Sequence, residues 1–211
     1  MTNSTPHDTQ IGTDDVQLMV RLGVPAALIR ILLNEAGLPI PDNLMPSDQA
    51  VPQGLSATEK AVLRSGGARG LDGKSAATEA EEHLMALKHL NECRELVKQS
   101  YKLEVVAERL RISPEATKAC ASGRTRDLYA FKLADNGQWL FPKWQFYELG
   151  RIPNLHSLLS AVGERVNPLV LSRFMLMKSI DLENDEECYS PRDWLIRGFE
   201  PEPVLRLVRD L

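Results

Sequence analysis

The chain has 211 residues, of which 43% are hydrophobic and 26% are charged, and its formal net charge at pH 7 is -4. This length suits one large domain or two small ones, and no apolar run approaches the roughly 20 residues that a membrane-spanning helix needs. The first ten residues lack a basic start followed by an apolar core, so the sequence predicts no signal peptide and a cytoplasmic location.

Sites for catalysis, metals or cofactors are not predicted. The three cysteines (Cys93, Cys120 and Cys188) are isolated and odd in number, which fits neither a disulfide framework nor a zinc site. We expect each to be a buried or half-buried apolar residue. Because no serine or cysteine has a convincing base and glycine-rich dinucleotide motifs are missing, the chain is predicted not to be an enzyme.

Charge is distributed unevenly along the chain. Residues 98–151 contain ten basic and six acidic residues, a net charge of +4, which leaves -8 for the rest. A locally positive segment in an acidic chain is typical of a selective nucleic-acid binder with a separate protein-binding surface, although a chance fluctuation of this size is an alternative.

The N-terminal part is predicted to be a disordered tail over 1–12 and a helical region over 13–97 that is a candidate for dimerisation. Asp14 or Asp15 is expected to cap a first helix, which Pro25 kinks or restarts and which ends at Gly37. A short helix is predicted from Ser56 to about residue 65, and a longer one over about 76–99. The residues of the longer helix expected to face inward are Leu84, Leu87, Leu90 and Val97.

Residues 98–151 carry the pattern of a winged helix-turn-helix. Apolar residues recur at helical spacing up to Ile112, and Ser113-Pro114 then supplies an N-cap followed by proline at the first position of a second helix. Strand-forming residues flank Asn136-Gly137, the strongest short hairpin signal, so a two-stranded wing is expected. The second helix of such a unit can lie in the major groove of DNA.

Seven residues are predicted to contact DNA, with Ala119 facing the core instead. Glu115 would repel phosphate unless its carboxylate accepts from a cytosine amino group. A helix pair of this kind is often merely structural, and the hairpin that follows it favours the DNA-binding interpretation. The predicted DNA-binding residues are Ser113, Glu115, Thr117, Lys118, Arg124, Arg126 and Lys132.

Residues 152–211 are predicted to form a helical protein-interaction region. Helical patterns cover 155–162, 169–177 and 203–211, and Ser190-Pro191 caps a further helix. The acidic run over 181–187 is expected to be a solvated loop.

Two resemblances follow from these residues. VVAERLRISPEATKACASGRTRDLYAFKLADNGQWLFPKWQF is similar to the excisionase and MerR-type winged helix-turn-helix. NPLVLSRFMLMKSIDLENDEECYSPRDWLIRGFEPEPVLRLVRDL resembles the toxin-binding domain of Xre/MbcA/ParS-type antitoxins. Together they imply a DNA-binding regulator, an autoregulating antitoxin in particular, whose C-terminal helices capture a toxin protein. The residues that this implies for partner binding are Trp194, Leu195, Leu205, Val208 and Leu211.

The sequence therefore supports two hypotheses for a mainly α-helical protein. The first is a sequence-specific DNA-binding transcriptional regulator that binds double-stranded operator DNA as a homodimer, because one short helix reads too few bases. The second is a protein-interaction module, an antitoxin or a scaffold, that binds a partner without binding DNA.

Overall fold

A computed structural model describes residues 11–45, 58, 62, 65–66, 76–122, 126–133, 137–148, 150–163 and 166–211. This part of the chain is mainly helical, with small antiparallel sheets of two and three strands. It divides into two compact units, residues 1–20 with 24–91 and residues 21–23 with 92–211. None of the described helices is long and apolar enough to cross a membrane.

The first unit contains helices α1 (Thr13–Arg21) and α2 (Ala26–Glu35), a 3-10 turn (Asp42–Leu44), and most of α3 (Ala76–Lys98). Pro25 immediately precedes α2, so the predicted restart is confirmed. Asp15 lies in the first turn of α1, and its carboxylate accepts a hydrogen bond from the Gly12 backbone N–H at 3.0 Å, so an aspartate does cap the start of this helix, although from the third helical position. The predicted helix after Ser56 falls largely outside the described residues, as does the predicted tail except for Ile11 and Gly12.

Helix α3 has the predicted extent, and of the four residues predicted to face inward only Leu90 is fully buried. Its buried hydrophobic side chains are Ala86, Leu90, Cys93 and Leu96, at intervals of three or four residues. Leu84 is 68% exposed, which corrects its predicted inward orientation, and Leu87 and Val97 are half-buried. The prediction followed the leucines, whereas the small side chains of Ala86 and Cys93 mark the buried face.

The second unit holds the remaining elements. The helices are α4 (Leu103–Leu110), α5 (Pro114–Ser122), α6 (Leu155–Ala161), α7 (Pro168–Leu176), α8 (Pro191–Ile196) and α9 (Glu202–Val208). The strands are β1 (Ser100–Lys102), β2 (Phe131–Lys132), β3 (Trp139–Pro142), β4 (Phe146–Tyr147), β5 (Gly150–Arg151), β6 (Ser179–Asn184) and β7 (Glu187–Tyr189), and a 3-10 turn covers Lys143–Gln145.

A three-stranded antiparallel sheet flanks the pair α4 and α5. Its order is β1-β3-β2, with Tyr101 opposite Phe141 and Phe131 opposite Leu140. Strands β2 and β3 are the two predicted ones, and β1, which precedes the helix pair in sequence, adds a third strand that the sequence did not indicate.

The acidic run over 181–187 forms part of a hairpin, which corrects the predicted loop. Strands β6 and β7 pair across Asp185 and Glu186, whose φ angles are 51° and 63°. Two consecutive residues with positive φ form a type I′ turn, whose backbone twist matches that of the two strands it joins. Leu182 in β6 is fully buried, so this hairpin is anchored in the core.

One hydrophobic core runs through the second unit. It joins residues of the predicted DNA-binding segment, such as Leu128, Phe141 and Trp144, to residues of the predicted interaction region, such as Leu171 and Leu195. The core therefore continues across the predicted boundary between residues 151 and 152, and the predicted domain limits stay a prediction.

Candidate nucleic-acid interface

The turn between α4 and α5 is built by two local features. Arg111 adopts the left-handed conformation with φ 55°, which ends α4. Ser113 Oγ then accepts a hydrogen bond from the Ala116 backbone N–H at 3.1 Å, and Pro114 is the first residue of α5. The predicted N-cap is confirmed.

The face that α5 turns toward the core differs from the predicted one. Thr117 is fully buried, and its hydroxyl donates to the Ser113 carbonyl at 3.0 Å. Ala119 is exposed. The predicted exposure of Thr117 and burial of Ala119 are both wrong, because a threonine whose hydroxyl bonds within its own helix presents an apolar methyl group to the core. Thr117 is therefore not available for a base contact.

The opposite side of α5 faces solvent and carries short side chains around one lysine. Its exposed members are Glu115, Ala116, Lys118, Ala119 and Ser122. Hydrogen bonds from its own backbone N–H and from the Ser113 hydroxyl, with the Lys118 charge, hold the pKa of Glu115 below its ordinary value. This carboxylate is therefore ionised at neutral pH, which sets one negative charge at the start of the exposed face.

The basic residues predicted to contact DNA differ in how exposed their side chains are. Lys118 and Lys132 are exposed, and the Lys132 ammonium is 4.4 Å from the centre of the Trp139 ring. Arg126 is half-buried, and Arg124 lies outside the described residues. The residues predicted to contact DNA did not include Arg111, an exposed cation at the turn itself; a basic residue two positions before the Ser-Pro cap was the signal for it.

Two other basic residues of this segment are engaged elsewhere. The guanidinium carbon of Arg109 lies 5.8 Å from the ring centres of both Tyr101 and Phe146, so Arg109 packs between aromatic side chains. Arg151 lies 3.8 Å from the Asp127 carboxylate. Arg109 and Arg151 are thus engaged within the protein rather than offered to a polyanion at α5 or the sheet.

The predicted partner-binding residues lie mostly in the core. Leu195 and Val208 are buried, Leu205 is half-buried against the core, and Leu211 is 47% exposed. Trp194 is buried against Tyr189 and Phe199, and its indole N–H donates to the Glu200 carbonyl at 2.6 Å. The predicted surface role of Trp194, Leu195 and Val208 is therefore corrected: the apolar stripe of α8 and α9 is used for the unit's own core.

Exposed apolar side chains occur instead along α7 and at the start of β6. They are Val170, Leu176, Met177 and Ile180, with exposures from 41% to 82%. We name these four residues the α7–β6 patch. Contiguous exposed apolar surface marks interaction sites, and these four side chains fall within eleven consecutive residues.

No protein-family model, curated protein or solved structure matches this chain. The two family resemblances stay predictions. Within the part of the chain that the structure describes, no group of three or more histidine, cysteine, aspartate or glutamate side chains could hold a metal ion. None of the three cysteines, all of which the structure describes, forms a disulfide; Cys93 is buried and the other two are half-buried, so their predicted environment is confirmed.

Proposed function

We propose that this protein is a sequence-specific DNA-binding transcriptional regulator whose winged helix-turn-helix consists of α4, α5 and the sheet β1-β3-β2. The observation that carries the proposal is the division of α5 into two faces. One face holds the helix to the core through Thr117, and the other leaves Ala116, Lys118 and Ala119 in solvent.

Small residues suit a helix that enters the major groove. Ala116 and Ala119 allow the helix backbone to approach base edges closely, and Lys118 is long enough to donate to the O6 and N7 atoms of guanine. Arg111, Arg126 and Lys132 supply positive charge for phosphates, which positions the protein without reading sequence. Glu115 in this arrangement accepts from a cytosine amino group and disfavours other bases.

A homodimer on a two-fold operator is part of the proposal. One short helix contacts only a few base pairs, and two half-sites one helical turn apart multiply the binding free energy. The N-terminal helical region, 13–97, is the candidate for the dimer contact.

DNA fragments selected from a random pool, followed by fluorescence anisotropy at two salt concentrations, test this function. Lys118→Ala should lower the free energy of discrimination between bases at one position by about 1–3 kcal/mol, because it removes a base contact. Lys132→Ala should weaken binding to all sequences alike and lower the salt slope by about one, because it removes a phosphate contact.

Lys178→Ala is the matched control, since this exposed lysine lies between α7 and β6. It should leave both the affinity and the salt slope unchanged. Absence of salt-dependent DNA binding by the unmodified protein would end the DNA-binding proposal.

The second candidate function is a protein-interaction module, an antitoxin or a scaffold, that does not bind DNA. The α7–β6 patch favours it, together with the ionised Glu115 on the face offered to DNA. A stoichiometric protein partner, a toxin for example, that copurifies with a chain lacking DNA affinity would support this function. Met177→Asp and Ile180→Asp should then release the partner, since both side chains are exposed and neither substitution disturbs the core.

A further inference from the structure

A cleft of about 430 Å³ opens in the second unit beside Trp144. Its walls come from the C-terminal end of α3, the 3-10 turn Lys143–Gln145 and α7, and Arg192 of α8 lies at its edge. We name it the Trp144 cleft. Its volume lies within the range of roughly 300 to 1,000 Å³ that is typical of small-molecule sites.

The apolar part of the cleft is formed mainly by leucines. Leu96, Leu169 and Leu176 line it together with Trp144, which is only 4% exposed. The indole N–H of Trp144 donates to the Ser172 hydroxyl at 3.1 Å, and the Trp144 carbonyl accepts from Arg192 Nε at 3.1 Å. These bonds satisfy the indole N–H and tie the backbone of the 3-10 turn to α8, and the exposed apolar surface of the cleft is supplied by Leu169 and Leu176.

Most charges around the cleft are neutralised by a neighbour. Arg173 Nη2 lies 2.6 Å from the Glu92 carboxylate, and Arg192 Nη1 lies 3.3 Å from that of Asp193. Glu95 lies 3.8 Å from the Lys98 ammonium.

Lys143 is the exception among the described residues that line the cleft. Its ammonium donates to the Lys98 carbonyl at 2.9 Å and lies 5.4 Å from the centre of the Tyr101 ring, with no described carboxylate within 4 Å. An ammonium has three N–H donors, and one carbonyl uses only one of them. The cleft therefore combines an apolar wall with a single uncompensated positive charge.

We propose that the Trp144 cleft binds a small amphipathic anion, with an apolar aromatic body against Leu169 and Leu176 and one carboxylate or sulfonate group toward Lys143. A neutral aromatic molecule of the same shape gains the apolar contact alone. An aromatic cation meets the Lys143 charge and is disfavoured. This site is separate from the proposed DNA contact and does not depend on it.

A pair of fluorescent probes separates the two parts of the recognition. We would use 1-anilinonaphthalene-8-sulfonate, an aromatic sulfonate, and N-phenyl-1-naphthylamine, its neutral counterpart without the sulfonate. The full chain should bind the sulfonate saturably at one site per chain. Lys143→Gln should weaken sulfonate binding by about threefold to tenfold, as expected for loss of a half-exposed charged hydrogen bond, and should leave the neutral probe unaffected.

Lys178→Gln is the charge-matched control and should change neither affinity. Equal effects of Lys143→Gln on both probes, or no effect on either, would overturn the proposal.

A second pair of variants locates the bound probe. Leu176→Glu places a carboxylate at the cleft, and because Leu176 is 55% exposed the chain should still fold. Affinity for the sulfonate probe should fall at least about tenfold, because the variant loses the apolar contact of Leu176 and gains a charge of the same sign as the sulfonate. Ile180→Glu adds the same charge at an 82% exposed position that does not line the cleft, and it should have little effect.

Circular dichroism of each variant confirms that it is folded before binding is compared. Equal loss of sulfonate binding in both glutamate variants would place the probe on the α7–β6 patch and contradict the cleft assignment.

Discussion

Gln145 is a fully buried amide whose hydrogen bonds all go to the backbone. Its Oε1 accepts from the Tyr129 N–H at 2.8 Å, and its Nε2 donates to the carbonyls of Tyr129 at 2.8 Å and Pro142 at 3.1 Å. One side chain thus ties the segment before β2 to the end of β3. It also explains why β2 begins only at Phe131: the Tyr129 backbone groups bond Gln145 instead of a strand.

Gln145→Leu should lower the free energy of unfolding by about 2–4 kcal/mol, because it leaves one N–H and two carbonyls buried without partners. Urea unfolding measures the change. Gln99→Leu is the control, since Gln99 is exposed and its side chain bonds only the side chain of Glu95 among the described contacts; its effect should stay within about 0.5 kcal/mol. Equal losses in the two variants would show that the buried network is unimportant.

Burial of the Tyr129 phenol leads to a prediction of how the free energy of unfolding changes at alkaline pH. Burial raises the pKa of its phenol, and the Arg126 charge opposes this only in part. A raised pKa in the folded state means that the stabilisation is complete below the unfolded pKa of about 10 and is lost as the pH rises above it.

Urea unfolding between pH 8 and pH 11 should therefore show a steeper alkaline loss for the unmodified chain than for Tyr129→Phe. Some loss should remain in the variant, because the hydrogen bond to Glu187 raises the pKa of Tyr189 as well. Parallel curves for the two proteins would contradict the assignment to Tyr129.

Helix caps are the elements that the sequence predicts best. Ser190 was expected to begin a helix, and in the structure its Oγ accepts from the Asp193 N–H at 3.1 Å and donates to the Asp193 carboxylate at 2.8 Å. Both partners lie within three residues, so the local sequence suffices to predict the cap.

Ser190→Ala should lower the free energy of unfolding by about 1–2 kcal/mol, since it removes a cap that is almost completely buried. Chemical unfolding followed by circular dichroism measures this. Ser160→Ala removes an exposed hydroxyl that bonds the His156 carbonyl within α6, and its effect should stay within about 0.5 kcal/mol. If the two alanine variants unfold alike, the cap does not stabilise α8.

Elements whose partners are distant in sequence were missed for a physical reason. Strand β1 has three residues, too few to show an alternating pattern, and it exists because Tyr101 pairs with Phe141. The same limit applies to the candidate interface. Local spacing predicted the start of α5 and the exposure of Lys118, whereas the buried face of α5 and the burial of Trp194 depend on packing that the sequence does not display.

At the scale of the whole molecule, the shared core limits what deletions within the second unit can show. Trp194, Leu195 and Val208 belong to the same buried cluster as Leu128 and Phe141. A deletion of the C-terminal helices therefore removes part of the core that supports α4 and α5, so loss of binding by such a chain would not locate a partner surface.

A chain that ends at residue 189 should lose its cooperative thermal unfolding and become sensitive to protease throughout residues 92–189, because several core side chains are missing. Thermal circular dichroism and limited proteolysis measure both effects. A chain that ends at residue 209 is the control, since it lacks only two exposed residues. Protection of residues 92–189 from protease in the shorter chain would show that this part of the second unit folds without α8 and α9.

The central position of β3 sets an order of assembly. Phe131 and Leu140 are nine residues apart, whereas Tyr101 and Phe141 are forty apart. Closing the larger loop costs about 1.3 kcal/mol more in chain entropy, so the β2–β3 hairpin should form early and β1 should join late. Since α4 follows β1 directly, the orientation of the helix pair against the sheet is fixed only in this last step. A substitution that weakens β1 should therefore accelerate unfolding far more than it slows folding.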